Sequence, residues 1–116
     1  MIKAFSIIIA TFISTMALAK SVNLEPEINH LLQYVATTDC LYERNGTAHK
    51  GTEAKQHIKK KYDYYEDDIE TTEDFIKYAA TKSTMSGEYY YIQCPGQAKV
   101  KSKDWLLAEL ARFRDK

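Results

Sequence analysis

The sequence lacks several features that would indicate a common functional class. It contains no internal repeat, low-complexity tract or interdomain linker, and this favours a single domain. Lysine plus arginine and aspartate plus glutamate balance at 16 each, so a general affinity for nucleic-acid phosphates is not expected. Two cysteines alone do not make a zinc site, and His30, His49 and His57 do not follow a zincin-type spacing. We therefore expect no metal ion and no cofactor.

Only one segment is strongly apolar, and it is short. The 13 residues from Ala4 to Met16 would form a helix of about 20 Å, against a hydrocarbon core of roughly 30 Å. Lys3 precedes this stretch, and Ala17-Leu18-Ala19 supplies small residues for a protease. The pattern is typical of a signal peptide at residues 1–19, cleaved after Ala19. An uncleaved membrane anchor is the alternative; no later segment is apolar enough to span a membrane.

Export would place both cysteines in an oxidising compartment. Removing 19 of the 116 residues leaves 97, a length that suits one domain, and it leaves Cys40 and Cys94 in the mature chain. Two cysteines outside the cytosol most simply form a disulfide bond. Closing a loop of about 55 residues stabilises the folded state by roughly 4 kcal/mol in the chain-entropy model.

Apolar residues recur at helical spacing in four segments. The predicted helices cover residues 25 to about 37, 52 to about 65, 71 or 72 to about 83, and 102 onward, with Ser102 as a cap. Extended segments are predicted at residues 40–42 and 88–94, and Asn45-Gly46 predicts a tight turn. The prediction is an α+β domain dominated by helix, with about four helices and a short antiparallel sheet of two or three strands.

Acidic side chains are concentrated between residues 63 and 74, where seven acids occur without a base. A solvated acidic surface is the simpler interpretation. A calcium site is the alternative, because hard cations bind clustered carboxylates. The segment lacks the glycine and the regular alternation of an EF-hand loop.

Five short segments, taken in order, resemble the YfeK-like family, a family of small exported bacterial proteins with a domain of unknown function. The segments are Cys40-Leu-Tyr-Glu-Arg-Asn-Gly46, Glu53-Ala54-x-x-His57-x-x-x-Lys61, Thr71-x-Glu-Asp-Phe-Ile76, Ala80-x-x-Ser83-x-x-Ser86-Gly87-x-x-Tyr90 and Trp105-Leu106. The resemblance covers most of Leu31 to Arg114 and implies a periplasmic location, and we expect one YfeK-like domain over residues 20–116. It implies no activity.

Polar residues within these segments form a candidate ligand-binding set: Arg44, Asn45, His57, Lys61, Ser83, Ser86 and Tyr90. Together they would offer cationic, amide and hydroxyl donors and an imidazole, which suit a carboxylate, phosphate or glycan. These residues also have structural interpretations: a core-edge histidine bonded to backbone or to Tyr90, an arginine that holds the turn by bonding helix-terminal carbonyls, a helix-end or turn serine, or a lysine lying along the apolar face.

Two functions remain open at this point. The first is a non-catalytic periplasmic domain that binds a partner protein or a small anionic envelope ligand. The second is a small cell-envelope hydrolase in which Ser86 is the nucleophile, His57 the base and Glu53 the orienting acid. The sequence contains no nucleophile elbow and defines no oxyanion hole, so binding is the favoured interpretation.

Overall fold

The computed structural model describes residues 23–116, so the predicted signal peptide at residues 1–19 lies outside the described residues. The elements are α1 (Glu25–Thr37), β1 (Leu41–Arg44), β2 (Thr47–His49), α2 (Gly51–Tyr65), a short 3₁₀ turn (Glu66–Asp68), α3 (Thr72–Ala79), β3 (Tyr91–Gln93), β4 (Val100–Lys101) and α4 (Ser102–Arg114). The predicted α+β class with four helices is confirmed. None of these helices combines the length and apolarity that a membrane span requires.

The sheet has four strands in the order β2-β1-β3-β4, where two or three were predicted. Neighbouring strands are antiparallel throughout. The predicted turn is confirmed: Asn45 and Gly46 have φ of 50° and 78° and join β1 to β2 as a hairpin. The sequence did not indicate β2 and β4, because they have three and two residues and show no alternation of apolar and polar positions.

Two local predictions need correction. Ser102 does not cap α4; it lies inside the first turn, fully buried, and its hydroxyl donates to the Tyr42 hydroxyl at 2.8 Å. The segment 88–94 is a strand only from Tyr91 to Gln93, while Tyr89 forms an isolated bridge with Lys82. Residues before β3 therefore belong to a loop that leads from α3 back to the sheet.

The core lies between the helices and one face of the sheet. Its buried side chains include Leu31 and Val35 of α1, Ile58 of α2 and Ile92 of β3. On α1 the buried residues follow the i, i+3, i+4 spacing seen in the sequence. On β3 and the residues before it, Tyr90 is buried whereas Tyr89 is 38% exposed, which is the alternation expected of an extended chain.

The predicted disulfide is confirmed between Cys40 and Cys94, whose Cα atoms are 4.1 Å apart. The two cysteines flank the paired residues Leu41 and Gln93 on β1 and β3. The bond therefore closes the central strand pair at the end away from the Asn45-Gly46 turn.

Arg114 joins three helices near the C-terminus. Its guanidinium bonds to Glu27 of α1, with Nε 2.7 Å from Oε2, and to Glu73 of α3, with Nη1 2.9 Å from Oε2. The hydroxyl of buried Thr72 also donates to Glu27. The bonds from Arg114 and then Thr72 lower the pKa of Glu27 from its ordinary 4.5 to about 2.

This arrangement predicts a specific loss of stability in acid. Because the pKa of Glu27 is lower in the folded state, its stabilisation is complete above about pH 4.5 and disappears as the pH falls toward 2. Arg114 is 43% exposed, so the contribution is on the order of 1 kcal/mol. Urea unfolding at neutral pH and at about pH 3 should show a steeper loss for wild type than for Glu27→Gln. Glu25→Gln, in the same first turn and exposed, should behave like wild type.

Candidate functional site

A cavity of about 520 Å³ opens between α2, the end of β1 and the loop that follows α3. We call it the Tyr90 pocket. Six of the seven predicted site residues line it: Arg44, Asn45, His57, Lys61, Ser83 and Tyr90. Five further lining residues were not predicted from the sequence: Lys60, Tyr64, Tyr65, Thr84 and Met85. Ser86 is not among the lining residues.

Local structure explains why these side chains meet. Arg44 is the last residue of β1, and the hairpin turn holds Asn45 next to it. His57 and Lys61 are one helical turn apart on α2 and therefore share a face. The chain from Ser83 to Tyr90 is held by a hydrogen bond from the Ser83 N–H to the Glu88 carbonyl. This loop completes the wall opposite α2.

The buried Tyr90 hydroxyl is the centre of the pocket. It lies 3.1 Å from Nε2 of His57, and the His57 tautomer decides which group donates. Lys61 donates to the same hydroxyl at 3.4 Å and to the Lys82 carbonyl at 2.8 Å. The Lys61 ammonium also lies 5.2 Å from the centre of the Tyr90 ring. Of the two structural partners predicted for His57, backbone or Tyr90, the structure shows Tyr90, and His57 also lines the cavity.

Arg44 has unused hydrogen-bonding capacity at this site. Its Nε is buried, and no described residue accepts a hydrogen bond from it. A buried donor without an acceptor costs about 1–3 kcal/mol relative to a satisfied one. Arg44 also lines the Tyr90 pocket, where an anion would accept the stronger, charge-assisted kind of hydrogen bond from its guanidinium.

The electrostatics of the pocket are positive. Burial, followed by the charges of Arg44 and Lys61, lowers the pKa of His57 to about 4, so His57 is neutral near pH 7. Burial and the Arg44 charge also lower the pKa of Lys61. Within residues 23–116, no aspartate or glutamate lines the pocket. Basic groups therefore face one another without a counter-charge, and an anion is the ligand they favour.

Residues 22–114 match the model of a family of unknown function, DUF5329. The chain belongs to this family. The match agrees with the predicted domain of unknown function, while the narrower YfeK-like assignment stays a prediction. No curated protein and no solved structure matches the chain significantly. The site of this DUF5329 member must therefore be interpreted from its own geometry.

Ser86 supports the loop of the DUF5329 domain. Its hydroxyl donates to Oδ1 of Asn45 at 2.7 Å and accepts from the Glu88 N–H at 3.2 Å. The Ser86 N–H in turn donates to the Ser83 hydroxyl at 3.3 Å. Ser86 thus ties the loop to the hairpin turn and fixes the Asn45 side chain at the edge of the pocket.

A serine–histidine pair is not assembled in this geometry. The hydroxyl of Ser86 bonds to Asn45, whereas Nε2 of His57 bonds to the Tyr90 hydroxyl. Glu53, the acid considered for the hydrolase, lies 3.4 Å from Nδ1 of His49 instead. The three residues of the hydrolase hypothesis therefore have three separate partners.

The acidic segment 63–74 does not gather its carboxylates around a common point. Among the residues that the structure describes, no group of three or more histidine, cysteine, aspartate or glutamate side chains could hold a metal ion. Asp63 pairs with Lys59, and Asp74 accepts from the backbone N–H groups of Glu70 and Thr71 as part of the α3 capping box. The solvated-surface interpretation fits these contacts, and the calcium alternative lacks a ligand set.

Proposed function

We propose that this protein is an exported, periplasmic, non-catalytic domain of the YfeK-like type that binds a small anionic ligand in the Tyr90 pocket. The observation that carries the proposal is the convergence of Arg44, Lys60 and Lys61 on a cavity with no acidic lining among residues 23–116. Arg44, which lines this cavity, also has a buried Nε donor from which no described residue accepts a hydrogen bond. Family membership is consistent with this proposal and does not specify a function.

Export rests on the sequence of residues 1–19, with its basic start, apolar stretch and Ala17-Leu18-Ala19. The Cys40–Cys94 disulfide supports it, because such bonds persist mainly outside the cytosol. Periplasmic location follows if the host has two membranes, as the YfeK-like resemblance implies.

Binding is favoured over hydrolysis by the contacts of Ser86 and His57. A general base must lie within hydrogen-bonding distance of the nucleophile it activates, or one water away. Here His57 is bonded to a buried tyrosine and Ser86 to an amide on the hairpin turn. The site offers charge and donors but no activated nucleophile.

A small ligand also fits better than a partner protein. Six of the seven proposed binding residues line a concave cavity, where a small molecule can be surrounded by donors. A protein partner would reach these groups only by inserting an acidic side chain or a chain terminus. α2 also lines a second cavity, of about 690 Å³, through Lys55, Lys59 and Lys60, but Lys59 is paired there with Asp63.

The test uses inorganic phosphate as the probe. Phosphate should raise the melting temperature of wild type, and calorimetry should give an affinity that falls at least tenfold in Arg44→Gln, because a charge-assisted bond contributes about 1.5–3 kcal/mol. Lys61→Met should weaken binding as well. Lys55→Met removes one positive charge from α2 at a residue that lines a different cavity, and it should bind like wild type.

Circular dichroism separates binding from folding in this comparison. If Arg44→Gln and Lys61→Met are folded and bind phosphate as tightly as wild type, the Tyr90 pocket is not an anion site. If Arg44→Gln fails to fold, the phosphate affinity of folded Lys61→Met alone tests whether the Tyr90 pocket is an anion site.

A further inference from the structure

Resting on the proposed anion site, we propose that the ligand is an acidic sugar: a pyranose-sized ring that carries one carboxylate or phosphate group. The charged group would lie at Arg44, Lys61 and the Tyr90 hydroxyl. The ring would lie between neutral polar groups of the wall and the aromatic mouth of the pocket. Three features of the lining lead to this ligand class.

The first feature is size. The cavity of about 520 Å³ is much larger than a bare anion requires, since one water takes only about 30 Å³ of liquid volume and a phosphate has five heavy atoms. An inorganic anion at Arg44 would leave most of the cavity filled with water. A ligand that fills the cavity has a body of one or two rings attached to its charged group.

The second feature is the neutral polar lining beyond the cationic end. Asn45, Ser83 and Thr84 line the cavity, and the Tyr65 hydroxyl lies 3.3 Å from Oγ1 of Thr84. Amide and hydroxyl groups both donate and accept hydrogen bonds. Sugar hydroxyls do the same, so this part of the wall suits a polyhydroxylated ring better than a hydrocarbon chain.

The third feature is the aromatic mouth. Tyr64 is 82% exposed and Met85 is 99% exposed, although both line the pocket. Tyr65 is held behind them by stacking on Tyr78, with ring centres 5.4 Å apart, and by an edge contact with Tyr64 at 4.8 Å. A tyrosine ring exposed beside polar groups is a surface on which the C–H face of a sugar can lie. Because this ring is largely exposed, its apolar area is not already buried by the fold.

The positive end and the aromatic mouth are placed by one helix. Lys60 and Tyr64 are four residues apart on α2, as are Lys61 and Tyr65. Residues at this spacing lie above one another on a helix surface, about 5–6 Å apart. That distance is close to the width of a single sugar ring, so a ring bonded through its acid at Lys61 would reach Tyr64 and Tyr65.

The experiment compares matched probes by calorimetry with the folded domain, residues 20–116, and its disulfide intact. The probes are glucuronic acid against acetate, glucose 6-phosphate against inorganic phosphate, and glucose as the uncharged sugar. We expect each acidic sugar to bind at least tenfold tighter than its bare anion, and glucose to bind far more weakly than either acidic sugar. The stronger of the two acidic sugars identifies which acid the site prefers.

Variants show how much of the binding free energy comes from the cationic end of the pocket and how much from its aromatic mouth. Tyr64→Ala should remove most of the tenfold advantage of each acidic sugar over its bare anion. Arg44→Gln should weaken sugars and bare anions alike. Leu107→Ala removes an exposed apolar side chain on α4, outside the pocket, and should change neither affinity.

Two results would overturn the acidic-sugar proposal while leaving the anion site in place: acidic sugars that bind no tighter than their bare anions, or an advantage that is unchanged in Tyr64→Ala. The proposed function itself would be refuted if neither the bare anions nor the acidic sugars bind to folded wild type.

Discussion

Replacing Gly51 with alanine is expected to lower the free energy of unfolding by at least about 2–3 kcal/mol, the upper part of the range for overpacking. Gly51 is buried at the start of α2 and faces the last turn of α1. An alanine Cβ there would lie 2.1 Å from the Val35 carbonyl oxygen and 3.3 Å from that of Ala36. Both neighbours are backbone atoms, so no side chain can turn aside to make room.

The sign of this effect is informative, because helix propensity predicts the opposite. Alanine is favoured over glycine in a helix by roughly 0.5–1 kcal/mol, so a glycine free of contacts would be improved by the change. At Gly51 the close approach of α1 outweighs that gain. The two helices can relieve the contact only by moving apart, which would open the packing of Val35 and Ile58.

Thermal and urea unfolding measure this effect, with two control variants. Gly46→Ala meets no atom within 4 Å but has a φ of +78°, so it should cost about 1 kcal/mol through backbone strain alone. Thr52→Ala, exposed and adjacent in α2, should change stability little. A Gly51→Ala protein as stable as Gly46→Ala would mean that α1 and α2 are not in such close contact.

Loss of the Cys40–Cys94 disulfide is expected to destabilise the domain by roughly 4 kcal/mol. The cysteines are 54 residues apart in sequence, and closing a loop of that length restricts the unfolded chain by this amount. Small domains have free energies of unfolding of about 5–15 kcal/mol, so the disulfide would contribute a large share of the total stability. The melting temperature should fall by more than about 15 °C in a domain of this size.

The test compares reduced wild type with a Cys40→Ala/Cys94→Ala double variant. Both should show the same fall in unfolding free energy, because each removes the same restriction of the unfolded chain. Intact mass after alkylation under denaturing, non-reducing conditions should show no alkylated cysteine in protein taken from the periplasm. Two alkylated cysteines in that sample, or a double variant as stable as oxidised wild type, would contradict this prediction.

The helices were predictable because their signal is local. Four stripes of apolar residues at i, i+3, i+4 spacing located α1 to α4, and α3 begins at Thr72, one of the two starting residues predicted for it. The strands β2 and β4 were missed because strands this short form through pairing with neighbours and carry no pattern of their own. Ser102 was misassigned for a related reason, since its partner Tyr42 is 60 residues away in the chain.

Part of the candidate site could be predicted from the sequence. His57 and Lys61 share a helix face, and the hairpin turn fixes Arg44 beside Asn45, so each pair could be predicted from its spacing. That the two pairs line one cavity depends on tertiary packing. Tyr64 and Tyr65 follow Lys61 by three and four residues, and this spacing was an available signal for the mouth of the pocket. Thr84 and Met85 had no such signal, because the path of their loop depends on the bridge between Lys82 and Tyr89.

The sequence by itself determined the helical content, the identity of the two cysteines and the run of basic residues on α2, because each depends on neighbours along the chain. Only the tertiary structure decided that Arg44 is left without an acceptor at Nε, that acidic side chains of the described domain stay out of the pocket, and that Ser86 is bonded away from His57. These features depend on contacts between residues far apart in sequence. Such contacts exist only once the sheet and helices pack together, and they are what favours anion binding over hydrolysis.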